Sequence, residues 1–576
     1  MLIDMRNILS VLAILVVSVN LSAQSAGLHV QGDAVQLTVD GKPFIILGGE
    51  LGNSSAACPE DMERIFPKLS RMGLNTVLVP TYWVLTEPVE GEFDFSLTDK
   101  VLEEARANGL KVVFLWFGAW KNSMSCYAPS WFKTDYKKYP RAYTEAGKPL
   151  EIASSFSENV FRADNRAFSS WLGHIAEVDK DHGTVIMIQI ENEIGMLEAA
   201  RDHSKIADRH FNSPVPSELM SYLVAQKDDL HPYMIEKWAR NGFRTKGTWT
   251  EVFGEDIYTD EIFMAWHYAG YVGRMAEAAR GIYDVPLFVN AAMNSRGRKP
   301  GEYPSAGPLA HLIDIWHAGA PDIDFIAPDI YDDGFKGWVS QYHLHNNPLF
   351  IPEVRYSQDN GVRAFYVVGE HDAIGISPFS IEDCSDAQGT PFVEGYEKLR
   401  EMMPVITQWQ GKDAMWGLLF DQNDKERIIT DGDLVLTCRH NFTLPWDPRA
   451  TDGSTWPEGG GVVIRLAPYE YIVAGNGIVV EFATAAEKAA TASAIAEDLG
   501  EDGFVRGGSS SSPEMEQSKW TASRCGIASC DEVSVLPDGS FRYVRRLNGD
   551  QDHQGRHVRI SVGDYKVLHV KLYEYR

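Results

Sequence analysis

Two glutamates sit where charges are out of place. Glu193 closes the apolar run TVIMIQIENE (184–193), and Glu353 lies near the end of LFIPEVRY (349–356). A carboxyl group placed against a long apolar stretch loses solvation, which raises its pKa and suits it to proton donation. The two are too far apart in the chain for local structure to couple them, so only a tertiary fold can bring them together. Two carboxylates facing across a cleft are what glycoside hydrolysis needs, one as acid/base and one as nucleophile. Asn192, directly before Glu193, is placed to hydrogen-bond a sugar 2-OH, a contact that tightens in the transition state. Glu191, two residues before Glu193, is expected to point the same way along a strand. It reads as a second carboxylate for sugar hydroxyls or as the acid itself, and the Asn-Glu pair favours Glu193. Tyr331 ends DFIAPDIY (324–331) and is positioned to donate to Glu353. Trp83, Trp116 and Trp120 follow the second and third apolar runs, and Trp249 lies in a long insertion. These four are expected to offer faces for sugar stacking, with core packing as the competing role. Asp329 and Asp332 flank Tyr331 as sugar contacts or solvated groups, and Glu87 reads as a loop-shaping residue.

Eight short apolar runs must position these groups. They are 44–49, 75–80, 111–118, 184–193, 286–293, 324–331, 349–356 and 372–380. All are nearly continuously apolar, as parallel strands covered on both faces should be. Helical patterns separate them, among them 96–109, with Ser96 and Asp99 resembling a capping box, and 164–183, 261–283 and 392–409. Eight strand–helix units predict an α/β fold, a (β/α)8 TIM barrel over 27–410, with its longest insertion at about 196–258. In such a barrel the strand ends carry the chemistry, and strands four and seven face each other across the mouth. After residue 410 short alternating strands take over. Residues 411–576 therefore read as an all-β antiparallel sandwich domain, with GGSSSSP (507–513) as a loop and 486–499 as a short helix.

Composition narrows the partners. The formal net charge is −27, which disfavours nucleic acid and anionic lipid surfaces and leaves a neutral substrate easy to accommodate. Residues 1–23 read as a signal peptide, with Arg6, an apolar stretch over 8–19 and Leu21-Ser22-Ala23 before the cut. The mature chain is then expected to be exported, periplasmic or extracellular, with no membrane anchor. Of the six cysteines, Cys525 and Cys530 are close enough in sequence to close a small ring, whereas Cys58, Cys126 and Cys384 fall in barrel loops. None has metal-ligand spacing, which disfavours a zinc site, and two-carboxylate glycoside chemistry implies neither metal nor cofactor.

The segments DGKPFIILGGE (40–50), YWVLTEPVEGEFDF (82–95), APSWF (128–132), FRADNRAF (161–168), IQIENEIG (188–195) and FIPEVRY carry a resemblance. Together they are similar to glycoside hydrolase family 35, the β-galactosidases, within the retaining barrel glycosidases. The resemblance makes Glu193 the acid/base and Glu353 the nucleophile. It implies a retaining exo-β-galactosidase acting on terminal β-galactosyl residues of an oligosaccharide or polysaccharide, with galactose side chains of plant polysaccharides such as xyloglucan as the substrate. The chain departs from the family pattern at Pro80, where a galactose-binding Tyr is usual, and in FGAWKNSMSC, where the family usually carries a Glu. Family 42-type β-galactosidases share the same two-glutamate arrangement. The alternatives are another retaining specificity (β-glucosidase, β-mannosidase or arabinopyranosidase) and a non-catalytic carbohydrate-binding protein.

Overall fold

The computed structural model describes residues 26–294, 297–494, 522–547, 549 and 555–576. The expected signal peptide and the 507–513 loop lie outside the described residues. Eight parallel strands form one sheet: β1 (Ile46–Leu47), β2 (Thr76–Tyr82), β3 (Lys111–Lys121), β4 (Val185–Asn192), β5 (Leu287–Ala292), β6 (Phe325–Ile330), β7 (Phe350–Val354) and β8 (Gly375–Pro378). Their order is β1-β8-β7-β6-β5-β4-β3-β2. The two ends of this order meet, because the Leu78 amide donates to the Gly49 carbonyl and the Leu51 amide donates to that of Leu78. The sheet is thus a closed barrel. Every residue of β2, β4, β6 and β7 is buried, which explains the unbroken apolar runs: one face fills the barrel and the other lies under helices.

The covering helices are α1 (Pro59–Arg71), α2 (Ser96–Ala107), α3 (Glu158–Val178), α4 (Ile257–Arg280), α5 (Ile313–Gly319), α6 (Phe335–Tyr342), α7 (Asn360–Glu370) and α8 (Pro391–Trp409). The capping box expected at Ser96 is absent. Ser96 is already helical, and its amide donates instead to the Asp94 carboxylate. The insertion before α4 folds into four short helices. It is tied to α4 through Asp256, which caps that helix and accepts both bonds from the buried Lys237 ammonium, at 2.5 and 2.6 Å.

The C-terminal part is two antiparallel sheets. One runs Met415–Phe420, Gly459–Ala467, Glu470–Asn476, Lys566–Tyr575, Arg524–Val535, Phe541–Arg546; the other runs Glu426–Asp431, Leu434–His440, Ile478–Thr484, Val558–Ile560. Period-two alternation splits the larger sheet between two cores. Leu418, Phe420, Val463 and Val473 face the smaller sheet, while Leu419, Val462, Ile464 and Ile472 join the barrel's own core. Cys525 and Cys530 share the extended strand Arg524–Val535, not a loop. At about 3.3 Å per residue they stand roughly 16 Å apart, beyond disulfide reach, so the two do not close a ring. Within the segment expected to be helical at 486–499, the described helix is Ala485–Ala494.

The sandwich docks on α7. The Arg363 guanidinium makes two bonds to Glu458, at 2.7 and 2.8 Å, and Arg427 donates to Glu370 at 2.6 Å. Between these pairs the backbones nearly touch: a Cβ at Gly417 would lie 2.5 Å from the Tyr366 carbonyl oxygen. Gly417→Ala should therefore destabilise the protein by about 1–3 kcal/mol through overpacking. Gly173→Ala, in the middle of α3 with nothing within 4 Å of the new methyl, should be neutral or stabilising. Urea unfolding of both variants checks this, and equal midpoints would refute the close docking.

Candidate active site

The C-terminal ends of the strands converge on one acidic cluster. At the end of β4 the chain leaves extended geometry, with φ +59° at Glu191 and +46° at Glu193. Left-handed backbone at non-glycine residues is costly and persists only where the surroundings hold it. Here the holders are Asn290 on β5, whose Oδ1 accepts the Glu193 amide at 2.9 Å, and Ser123, whose amide donates to the Glu193 carbonyl at 3.1 Å. Asn122 donates its side-chain amide to Glu193 Oε2. Asn290 in turn donates to Asp329 Oδ2 at 2.7 Å, and the Tyr331 hydroxyl donates to Glu353 Oε2 at 2.7 Å. One carboxylate oxygen from each of Glu193, Asp329 and Glu353 lies within 4.8 Å of the others.

Two further groups complete the cluster. Glu50, just past β1, is buried with neither carboxylate oxygen partnered in the structure, and it reaches Glu353 as a hydrogen-bond donor once it carries a proton. Lys121, at the end of β3, is buried and donates to Asn192 Oδ1 at 2.8 Å. Asn192 Nδ2 remains buried without a partner, a donor free for a substrate hydroxyl. The three carboxylates could accept a bound cation by distance alone, and the Lys121 ammonium offsets part of their charge.

Electrostatics separates the carboxyls. Burial, then the charge of Glu353, raises Glu193 to about 7, and Lys121 opposes the rise. Burial and the same Glu353 charge push Glu50 and Asp329 well above the usual carboxylate range. For Lys121, burial works to lower the pKa, but the surrounding charges of Glu353, Glu193 and Glu50 outweigh it and raise it, so the ammonium keeps its proton.

Several expected site residues lie elsewhere. Glu191 does not point with Glu193, because the left-handed turn breaks strand alternation. Its carboxyl reaches under β3, accepting from the Trp120 amide at 2.7 Å and from that of Ala119 at 3.3 Å. Burial first and the Asp164 charge second push its pKa well up, and it hydrogen-bonds the Asp164 carboxyl on α3. Trp83, Trp116, Trp120 and Trp249 are all fully buried and offer no face to a sugar. β3 runs on to Lys121, so Trp116 and Trp120 are strand residues facing the helices. Trp116 stacks on Trp171 and donates to Asp164, and Trp120 meets Tyr268 and Tyr271 edge-on. Trp83 is bonded to Glu87, and Trp249 packs on Phe253 and Phe263. Glu50, Lys121, Asn122 and Asn290 were not singled out from the sequence. Their signal was the one that marked Glu193: a polar residue at or near the C-terminal end of an apolar run.

The family model described as "Beta-galactosidase", of the glycoside hydrolase 42 type, matches residues 55–265. The similarity is to β-galactosidases. The matching model is the family 42 type, not the family 35 that the motifs resemble. It spans β2 to β4, including Glu193, and stops short of Glu353. A second model, "Domain of unknown function (DUF5597)", matches 392–559. Among curated proteins, a β-galactosidase of Xanthomonas manihotis is 30% identical over 30% of this chain and 27% of its own. A probable β-galactosidase C of Aspergillus niger is 24% identical over 33% of this chain and 18% of its own. The chain thus covers under a third of either relative's length. Solved β-galactosidases from the psychrophilic Marinomonas ef1 and from Bacillus circulans sp. alkalophilus each align with a TM-score of 0.42. Their identities are 14% and 15%; the alignments cover 63% and 64% of this chain and 60% and 57% of theirs.

A carboxyl titrating near 7 should appear in an infrared difference titration and vanish in Glu193→Gln. In Lys121→Met the same band should move to higher pH, because the charge that opposes protonation is gone. A band unmoved by that substitution would show that Lys121 does not act on Glu193.

Proposed function

We propose that this protein is an exported, retaining exo-β-galactosidase that removes terminal β-galactosyl residues from oligosaccharide or polysaccharide side chains such as those of xyloglucan. The carrying observation is the pairing of Glu193, held near pH 7, with Glu353 at a closest oxygen separation of no more than 4.8 Å. Retaining glycosidases hold their two carboxyls about 5–5.5 Å apart, whereas inverting enzymes need a wider gap for water. The β-galactosidase similarity over 55–265 supports the sugar, and the N-terminal sequence supports export.

In this mechanism Glu353 attacks the anomeric carbon, with Tyr331 orienting its Oε2. Glu193 gives its proton to the departing glycosidic oxygen. The Glu353 charge is then consumed in the glycosyl ester, removing one cause of the raised Glu193 pKa. Glu193 therefore becomes a better-ionised carboxylate at the step where it must take a proton from water. Asn192 Nδ2 supplies the contact to the sugar 2-OH.

On a panel of nitrophenyl glycosides the β-galactoside should be cleaved, with β-galactose as the first-formed anomer by NMR. Glu353→Ala should abolish release. Glu193→Ala should cost about 10²–10⁴-fold on substrates with poor leaving groups, and less on nitrophenol. Since Glu193 must start protonated, kcat/KM should fall as pH rises through about 7. An α-anomer appearing first would overturn retention, and cleavage of another glycoside alone would overturn the sugar.

A further inference from the structure

Beside the carboxylate cluster, a cavity of about 600 Å³ opens between the barrel and the sandwich. That lies within the about 300–1,000 Å³ typical of small-molecule sites. The loop after β6 and the first turn of α6 form one wall, from Tyr331 to Gly337, and the sandwich forms the other through Phe420, Asn423 and Asp424. Tyr331 belongs to both places: it lines the cavity and its hydroxyl bonds Glu353. On the glycosidase reading, a sugar placed between Glu193 and Glu353 would carry its attached chain out at the C-terminal ends of the barrel strands, the face on which this cavity opens.

The lining defines the ligand. Arg355, two residues past Glu353, is exposed to the cavity; it donates to the Tyr331 carbonyl at 2.8 Å and makes no ion pair among the described residues. The other cations are committed, Lys336 to Asp424 at 2.6 Å and Arg363 to Glu458. Carboxylates outnumber cations along the walls, which disfavours an acidic chain. Hydroxyl groups satisfy both kinds of partner, donating to the carboxylates and accepting from Arg355.

We propose that this cavity is a leaving-group subsite for a neutral oligosaccharide, with one wall supplied by the sandwich domain. The proposal rests on the glycosidase reading above and gives the C-terminal domain a part in substrate choice. A Cβ on Gly337 would meet nothing within 4 Å, so a bulky side chain there has room to occupy the cavity.

The test compares Gly337→Trp and Asn423→Ala with the unaltered full-length protein on a nitrophenyl β-galactoside and on a neutral tetrasaccharide ending in β-galactose. Asn423 lies on an exposed turn, which keeps the test usable if the bulkier variant fails to fold. KM for the tetrasaccharide should rise about tenfold in each variant, the loss of one or two hydrogen bonds, against less than about twofold on the nitrophenyl substrate. An unchanged tetrasaccharide KM, or equal rises on both substrates, overturns the proposal. So does a preference of the unaltered protein for a uronate-bearing chain. If the unaltered protein cleaves neither substrate, the glycosidase reading fails, and calorimetric titration of the tetrasaccharide then decides the subsite separately: binding weakened by both variants sustains it, and binding absent or unaffected overturns it.

Discussion

Four carboxyl groups share one buried barrel mouth with a single ammonium. Like charges at this spacing in a poorly solvated site cannot all ionise, so the cluster must divide into protonated and charged members. The charge of Glu353, added to burial, raises the pKa of Glu50, Glu193 and Asp329 alike. Lys121 pulls in the opposite direction. The division between protonated and charged carboxyls is therefore a consequence of crowding, not of any one residue. It also accounts for the donors gathered here: Tyr331 on Glu353, Asn122 on Glu193 and Asn290 on Asp329.

Behind that mouth a second acidic pair does structural work. Glu191 and Asp164 share a proton in full burial, and the pair ties the β3 backbone, Trp116 and Tyr271 together. This anchors the turn that throws Glu193 the other way, toward Asp329 and Glu353. Trp116, Trp120 and Trp171 serve the same end. By filling the layer between β3 and helices α3 and α4 they hold Lys121 and Asn122 at the rim. A stack of rings buried under the site stiffens it without touching a ligand.

The sandwich is built into this architecture by its larger sheet, whose strands Gly459–Ala467 and Glu470–Asn476 carry no exposed residue. One side closes the sandwich's own core and the other extends the barrel's core over α7. Glycines at the contact allow the two backbones to approach closely, and the ion pairs around them fix the angle. The loops that wall the cavity beside Tyr331 hang from these fixed strands.

The sequence by itself determined the barrel, its strand ends and the second, all-β part. Continuous apolar runs of strand length can be satisfied only between two covering layers, and eight of them separated by helices close one way. Glu193, Asn192, Tyr331 and Glu353 were legible for the same reason, as polar groups terminating such runs. Tertiary structure alone decided which side chains face which way. Alternation predicted Glu191 beside Glu193, but two left-handed residues reversed it, and that turn depends on Asn290 from another strand. Trp116 and Trp120 read as rim residues until the full length of β3 placed them under helices. Glu50 and Lys121 each end a run as isolated charges, and their meaning comes only from a ring closure that puts residues some three hundred positions apart into one low-dielectric space.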